Sequence, residues 1–245
     1  MKVVCTMGTD RPRGLIAVTS VERLPSGQRA GFWLPEAAYP WRAMVTAGWD
    51  FEFVTTRDEE PAPGGIDRSD PPQRMFLEDP EVRRKLAAAR SARHYDPADF
   101  PLVFAAGGPG AMWDFPADAR LSALLVAIFE AGGVVAAVCH GVAALVNANS
   151  ADGEAFVSGR RMTGFSNREE EAIGLSAAVP FLLEDALVQR GAKFEAGEPF
   201  RPHVITDDRL VTGQNPASAA GVAQFATQLA TGDPLPPNWL RRPAP

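Results

Sequence analysis

GGVVAAVCHGV, residues 132–142, is the stretch that decides the fold of this chain. After its two glycines, residues 134–138 form an unbroken apolar run, which is typical of a fully buried strand. Beyond the cysteine, the residues AALV at 143–146 predict the opening of a helix. Cys139 therefore lies where a strand becomes a helix, on the kind of sharp turn that holds the serine of a nucleophile elbow.

Cys139 has two interpretations at this position. A helix N-terminus lowers the pKa of a thiol and populates the thiolate, which favours a nucleophile. The alternative is a structural cysteine that packs as a small hydrophobic residue. Because His140 and Gly141 follow it directly, we favour the nucleophile.

Strand-like and helical runs alternate along the rest of the chain. This alternation predicts an α/β fold of the flavodoxin-like, doubly wound type, with a mostly parallel sheet sandwiched by helices. Strands are expected at 14–20, 51–56, 102–106 and 134–138, and helices at 36–47, 81–92, 119–131, 180–190 and 216–230. Two antiparallel pairs are also expected, 155–157 with 161–163, and 204–206 with 209–212, the second turning at Asp207 and Asp208.

The length of 245 residues suits one large domain, which we place at residues 14–230. Residues 1–13 form an N-terminal extension without an assigned role. Residues 231–245 are a Pro-rich C-terminal tail, either disordered or draped over the body. The stretch 61–72 is rich in proline, glycine and aspartate and predicts a loop that forms a wall of the site.

Composition excludes several classes of partner. The net charge of −6, without a basic cluster, argues against nucleic acid and against an anionic membrane. The N-terminus lacks the apolar run of a signal peptide, and two cysteines form no disulfide framework, so a cytoplasmic location is expected. Three scattered histidines and the lack of a C-x-x-C pair predict no metal site.

The carboxyl ends of strands carry the ligand sites of doubly wound sheets. Residues 31–36, the glycine pair Gly107 and Gly108, and the elbow should therefore converge. The amides of both glycines, together with that of His140, are candidates to hold an oxyanion. Trp33, Trp113 and Phe165 are candidates to line an apolar pocket, although core packing is the commoner use of aromatic residues.

Seven segments follow one another along the chain: VTS at 18–20, GFWLPE at 31–36, GGPGAMWD at 107–114, AAVCHG at 136–141, TGFSN at 163–167, PFLLED at 180–185 and TGQNPAS at 212–218. In this order they resemble the motifs of the DJ-1/PfpI superfamily, in particular its Hsp31-like branch of class I glutamine-amidotransferase-like proteins. The resemblance covers about residues 14–228. No single segment is decisive, but the ordered set is specific.

The resemblance implies roles for particular residues. Cys139 is the nucleophile, His140 its base, and Glu36 the carboxyl that hydrogen-bonds the thiol. A buried carboxyl beside a thiolate should have a raised pKa and carry a proton at neutral pH. An ordinary acid at a helix start would also explain Glu36.

The third member of the triad falls on Glu170 by its position in the family pattern. Two capping boxes compete in the same segment, since Ser166 can pair with Glu169 and Asn167 with Glu170. We expect Ser166 and Glu169 to form the cap and Glu170 to orient His140. In the alternative, Glu169, Glu170 and Glu171 all belong to a solvated face.

The function implied by the resemblance is that of a glutathione-independent glyoxalase of the D-lactate dehydratase type. Such an enzyme converts small reactive carbonyl compounds, the methylglyoxal-like 2-oxoaldehydes, to 2-hydroxy acids without a cofactor. A homodimer is implied as well. The chain departs from the family pattern at Pro109, where Hsp31-like proteins usually have histidine. Proline lacks the N–H and the polar side chain, so a different substrate preference is expected.

Other functions compete with this one. The same thiol chemistry would suit a protein deglycase, and an Hsp31-like holdase chaperone or redox-responsive protein would bind unfolded client proteins. A cysteine peptidase or amidase is a further alternative. A glutamine amidotransferase is disfavoured, because it needs a late His-x-Glu pair and His203 is followed two residues later by Ile205.

Overall fold

A seven-stranded sheet forms the centre of the protein in the computed structural model, which describes residues 11–240. The strands of the chain are β1 (Arg13–Ala17), β2 (Phe32–Trp33), β3 (Asp50–Thr55), β4 (Pro63–Gly64), β5 (Arg90–Ser91), β6 (Leu102–Ala105), β7 (Val134–Val138), β8 (Arg161–Met162), β9 (Lys193–Phe194), β10 (Val204–Asp207) and β11 (Leu210–Gly213). The α-helices are α1 (Leu34–Thr46), α2 (Pro71–Glu78), α3 (Pro80–Ala87), α4 (Ala111–Asp114), α5 (Ala119–Glu130), α6 (Asn167–Ala172), α7 (Leu183–Gln189) and α8 (Ala219–Thr231).

The strand order of the central sheet is β10-β11-β7-β6-β1-β3-β5. Every neighbouring pair is parallel except β10 with β11. All residues of β6 and β7 are buried, which explains why these strands are continuous apolar runs rather than alternating ones. The predicted α/β fold, with a mostly parallel sheet and flanking helices, is confirmed.

Helices cover the sheet. Helices α1 and α8 pack against each other, α1 over β1 and β3 and α8 over β7 and β11, while α5 packs on β6 and β7. Trp41 of α1 makes edge-on ring contacts with Phe51 of β3, at 6.5 Å, and with Phe76 of α2, at 5.6 Å. Aromatic pairs of this geometry stabilise a core beyond the area that they bury.

Two predictions in the first half of the chain were wrong in part. The helix expected at 81–92 ends at Ala87, because Arg90 and Ser91 pair with β3 as an edge strand. The loop expected at 61–72 contains β4, and α2 begins inside it at Pro71, since proline is well suited to the first turn of a helix. Strand β4 pairs with β2, and none of residues 61–72 lines the cavity beside Cys139.

In the second half of the chain, the hairpin expected at 155–157 and 161–163 is absent from the described structure. Strand β8 instead pairs in parallel with β9, and Phe156 and Val157 belong to the hydrophobic core. The second antiparallel pair, β10 with β11, is confirmed, with its turn at residues 208–209 rather than 207–208. The helix expected at 180–190 is shorter, Leu183–Gln189.

The chain ends lie partly outside the described residues, namely 1–10 of the expected N-terminal extension and 241–245 of the tail. The described part of the tail is draped over the body: Leu235 and Trp239 are buried, and Nε of Arg42 donates a 3.0 Å hydrogen bond to the Trp239 carbonyl. Within residues 11–240, no helix combines the length and hydropathy that crossing a bilayer requires.

Candidate active site

Cys139 adopts a backbone conformation that is rare for a residue with a side chain. It follows β7 directly and has φ of +57°, a left-handed conformation that costs about 1–2 kcal/mol outside glycine. The turn is tight, because a Cβ on Gly141 would lie 2.3 Å from the carbonyl oxygen of Ala105. The helix expected after the elbow is a 3-10 helix, over Cys139–Leu145.

The elbow opens into a cavity of about 230 Å³ at the carboxyl ends of β7 and β6. The lining residues are Trp33, Gly108, Pro109, Cys139, His140, Phe165, Ile173, Phe200 and Pro216. Five predicted site residues are thus brought together here. Trp113, the third aromatic candidate, lines a separate cleft with Thr56 and Asp114.

His140 links the thiol to a buried carboxylate. Its Nδ1 lies 3.6 Å from Sγ of Cys139, and its Nε2 lies 2.8 Å from Oε2 of Glu170. A carboxylate only accepts hydrogen bonds, so Nε2 carries the proton and Nδ1 presents its lone pair to the thiol. The imidazole also lies against the ring of Phe165, with 4.4 Å between centroids, so its orientation is held from two directions.

Glu169 and Glu170, at the start of α6, make different contacts, because only Glu169 belongs to the capping box. Glu169 Oε2 accepts hydrogen bonds from the N–H and the hydroxyl of Ser166, while the Glu169 N–H donates to the Ser166 hydroxyl. This cap leaves Glu170 to face His140. Both glutamates are buried and only Glu171 is exposed, so the alternative of a solvated face is wrong for the first two.

Glu36 is a buried carboxyl beside the thiol. Its Oε2 accepts a 2.7 Å hydrogen bond from the N–H of Gly107, and the carboxyl also interacts with Cys139. Burial raises the pKa of Glu36 to about 8, although the hydrogen bond from Gly107 and the thiol act in the opposite direction. Glu36 therefore carries a proton at neutral pH, as we expected for a buried carboxyl beside the thiol.

The two glycines after β6 differ in what their amides can do. The N–H of Gly107 is taken by Glu36, so its expected place in an oxyanion hole is wrong. For the N–H of Gly108, no acceptor exists among residues 11–240. Gly108 has φ of +115°, and a Cβ there would lie 2.4 Å from the Gly31 carbonyl oxygen, so only glycine fits this approach.

The expected thiolate is not favoured by this environment. Burial raises the pKa of the Cys139 thiol well above its ordinary value, and the charge of Glu36 adds to that effect once this carboxyl ionises, above a pH of about 8. The backbone N–H of His140 acts in the opposite direction but is weaker. The protonated thiol is thus the favoured form of Cys139, and Nδ1 of His140 lies within hydrogen-bond distance of it.

The proton on Glu36 predicts a pH-dependent stability. A pKa raised from 4.5 to about 8 means that the folded state binds a proton that the unfolded state releases over this range. The free energy of unfolding should therefore fall as the pH rises, by up to about 1.4 kcal/mol per pH unit, with the contribution fully present only below pH 4.5. Chemical denaturation at about pH 5.5 and 7.5 measures this fall.

Glu36→Gln is the matched control, because its amide retains an acceptor for the Gly107 N–H but has no titrating proton. We expect the wild type to lose about 2–3 kcal/mol more than this variant between the two pH values. Equal pH dependence of both proteins would show that Glu36 ionises in its ordinary range.

The remaining histidines lie outside the cavity. His94 is exposed beside Asp58, and the N–H of His203 donates to the Ser218 hydroxyl, which agrees with a structural role. Among residues 11–240, no three His, Cys, Asp or Glu side chains cluster as metal ligands would.

Three lining residues were missed as site residues from sequence: Ile173, Phe200 and Pro216. Pro216 lies in a segment that carried the family resemblance. Ile173 is an apolar residue two positions after the charged run at 168–171, and this change in polarity could have marked it as a lining residue. Phe200 lies in a loop without a recognisable pattern.

Comparisons with known proteins agree with this arrangement. The sequence profile of the DJ-1/PfpI family matches residues 30–230. Glutathione-independent glyoxalase HSP31 of Saccharomyces cerevisiae is 30% identical over 85% of this chain and 94% of its own length. Glyoxalase 3 of Candida albicans is 28% identical over 86% of this chain and 94% of its own. The X-ray structure of Rapid Encystment Protein 24 KDa from Francisella tularensis, 32% identical, superposes with a TM-score of 0.85 over 89% of this chain and 98% of that one.

Proposed function

The chain belongs to the DJ-1/PfpI family, and from this premise we propose that it is a glutathione-independent glyoxalase that converts methylglyoxal-like 2-oxoaldehydes to 2-hydroxy acids. The observation that carries the proposal is the continuous contact from the thiol of Cys139 through His140 to Glu170 at the floor of a small cavity. A nucleophile, a base and the group that orients the base are thus in place.

The first step joins the thiol to the aldehyde carbon. Nδ1 of His140 accepts the thiol proton as sulfur attacks, and then returns it to the aldehyde oxygen, which gives a neutral hemithioacetal. The N–H of Gly108 is placed to stabilise the oxyanion that develops on the way. Burial keeps Glu36 protonated, its Oε2 accepts from Gly107, and its Oε1 has no hydrogen-bond partner among residues 11–240. We therefore assign the proton to Oε1, from which it can stabilise the sulfur once the thiol proton has left.

The second step moves a proton between the two carbons of the substrate. Neutral His140 removes the proton of the former aldehyde carbon, which gives an enediolate, and delivers it to the neighbouring carbon. The hydroxyl proton of the hemithioacetal passes to the former ketone oxygen, and the product is a 2-hydroxy thioester. Water then hydrolyses the thioester, which releases the 2-hydroxy acid and restores the thiol. Oxidation of one carbon balances reduction of the other, so no external oxidant, reductant or cofactor is part of the proposal.

The small volume of the cavity helps to choose among the alternative activities. A cavity of about 230 Å³ suits a free small aldehyde better than the extended backbone that a peptidase must bind. We also propose that the same thiol can remove methylglyoxal adducts from proteins, as a protein deglycase does. A homodimer, binding of unfolded clients and a cytoplasmic location stay predictions from the family resemblance.

Incubation of the metal-depleted protein with methylglyoxal, without glutathione, tests the proposal. Loss of the aldehyde and formation of lactate are followed together by NMR, and we expect stoichiometric conversion over many turnovers. Lactate of the D configuration is expected for the proposed D-lactate dehydratase type. Aldehyde loss that stops at one equivalent per protein, without lactate, would mean adduct formation and would contradict catalysis.

A further inference from the structure

The walls of the cavity differ in character from its floor. The reacting groups, Cys139 and His140, lie at the floor beside Gly108. The other six lining residues are all aromatic, aliphatic or proline: Trp33, Pro109, Phe165, Ile173, Phe200 and Pro216. A substrate whose aldehyde carbon reaches the thiol must therefore direct its remaining substituent at an apolar wall.

Phe200 stands out among these residues because its backbone is strained. Its φ is +59°, a conformation that bulky residues seldom adopt. The Phe200 N–H donates a 2.7 Å hydrogen bond to Oε1 of Glu169, which is itself fully buried. The same oxygen of Glu169 accepts a hydrogen bond from the side chain of Asn215. The Glu169 carboxylate is thus held in place, and it fixes the strained backbone of Phe200.

The strain holds an apolar side chain at the mouth of the cavity. Phe200 is 48% exposed and Ile173 is 44% exposed, and both line the cavity. Strained backbone and exposed aromatic surface are both unfavourable for an isolated fold and are typical of functional positions. An apolar substituent that covers these two side chains would gain free energy from burial, whereas a methyl group covers little of them.

We propose that Phe200, with Ile173, determines substrate specificity, and that the site prefers 2-oxoaldehydes with an aryl or branched alkyl substituent over methylglyoxal. The proposal rests on the glyoxalase activity proposed above and names the substrate class of the same site. The substituent lies against Phe200 and Ile173 while the two carbonyl carbons reach Cys139. The chemistry of the reacting carbons is unchanged, because the substituent takes no part in it.

The test compares kcat/KM for phenylglyoxal and for methylglyoxal. We expect the wild type to prefer phenylglyoxal, and Phe200→Ala to lower the ratio of the two values about tenfold, mainly through KM for phenylglyoxal. Phe225→Ala is the matched control, because Phe225 is also 48% exposed but lies on α8, away from the cavity. This control should leave both values unchanged.

Phe200→Gly provides a second variant that removes the same ring. Glycine adopts φ of +59° without steric cost, so this variant should fold even if Phe200→Ala does not. An unchanged ratio in a folded Phe200 variant, or a wild type that prefers methylglyoxal, overturns the specificity proposal but leaves the glyoxalase intact. Turnover of neither substrate by the wild type overturns both.

Discussion

Cys139→Ala should reduce kcat/KM for methylglyoxal to the level of the reaction without enzyme, a loss of at least about 10⁴-fold. In the proposed mechanism, sulfur forms the bond that carries the substrate through the proton transfers, and no other nucleophilic side chain lines the described cavity apart from His140. Alanine keeps the Cβ, so it should also keep the elbow. Lactate formation, followed as for the wild type, measures the loss.

The chain offers its own control for this variant, because it contains a second cysteine, Cys5. Cys5→Ala should retain wild-type kcat/KM, and thermal unfolding should show that both variants are folded. If folded Cys139→Ala retained more than about a tenth of the wild-type activity, the covalent mechanism would be wrong. Equal losses in the two variants would likewise point away from a specific role of the elbow thiol.

Glu170→Gln should lower kcat by about 10²- to 10³-fold and change KM little. The carboxylate fixes the tautomer in which Nδ1 of His140 faces the thiol, through the 2.8 Å contact to Nε2. An amide can donate to Nε2 as well as accept from it, and donation would place the imidazole proton on Nδ1. In that tautomer His140 cannot take the thiol proton.

Glu171→Gln is the matched comparison, since it makes the same chemical change one residue later on an exposed side chain. It should behave as the wild type. A loss in Glu170→Gln that appears in KM alone, or that Glu171→Gln shares, would mean that Glu170 supports the pocket or the net charge of α6 rather than the orientation of His140. Steady-state kinetics on methylglyoxal separate these outcomes.

The central sheet could be predicted because its strands are buried on both faces. β6 and β7 are unbroken apolar runs between turn residues, so their sequence leaves few alternatives. The strand expected at 161–163 exists as β8, but its partner β9 could not be predicted, because so short a pairing leaves no periodic pattern. The hairpin expected at 155–157 and 161–163 was wrong for a related reason. Phe156 and Val157 have the composition of a strand, but their side chains are buried in the core without pairing as a strand.

The family resemblance singled out Cys139, His140 and Glu36, and the structure brings these three side chains together. The site was not predictable where burial and geometry decide. A sequence shows a thiol at a strand end, but not that burial outweighs the N–H of His140 and raises the thiol pKa. It shows two adjacent glycines, but not that Glu36 takes the amide of Gly107 and leaves that of Gly108.

The neighbouring positions of β7, β6 and β1 in the sheet have a kinetic consequence. The groups that meet in the cavity are far apart along the chain, as Glu36 and Cys139 show, and only parallel pairing of these three strands brings their loops together. Such non-local pairings form slowly, because the entropy of closing long loops is lost before the contacts are gained. On folding, the candidate catalytic groups therefore come together only after the long-range sheet has formed, and a partly folded chain presents Cys139 and the adjacent His140 without the carboxyl groups of Glu36 and Glu170.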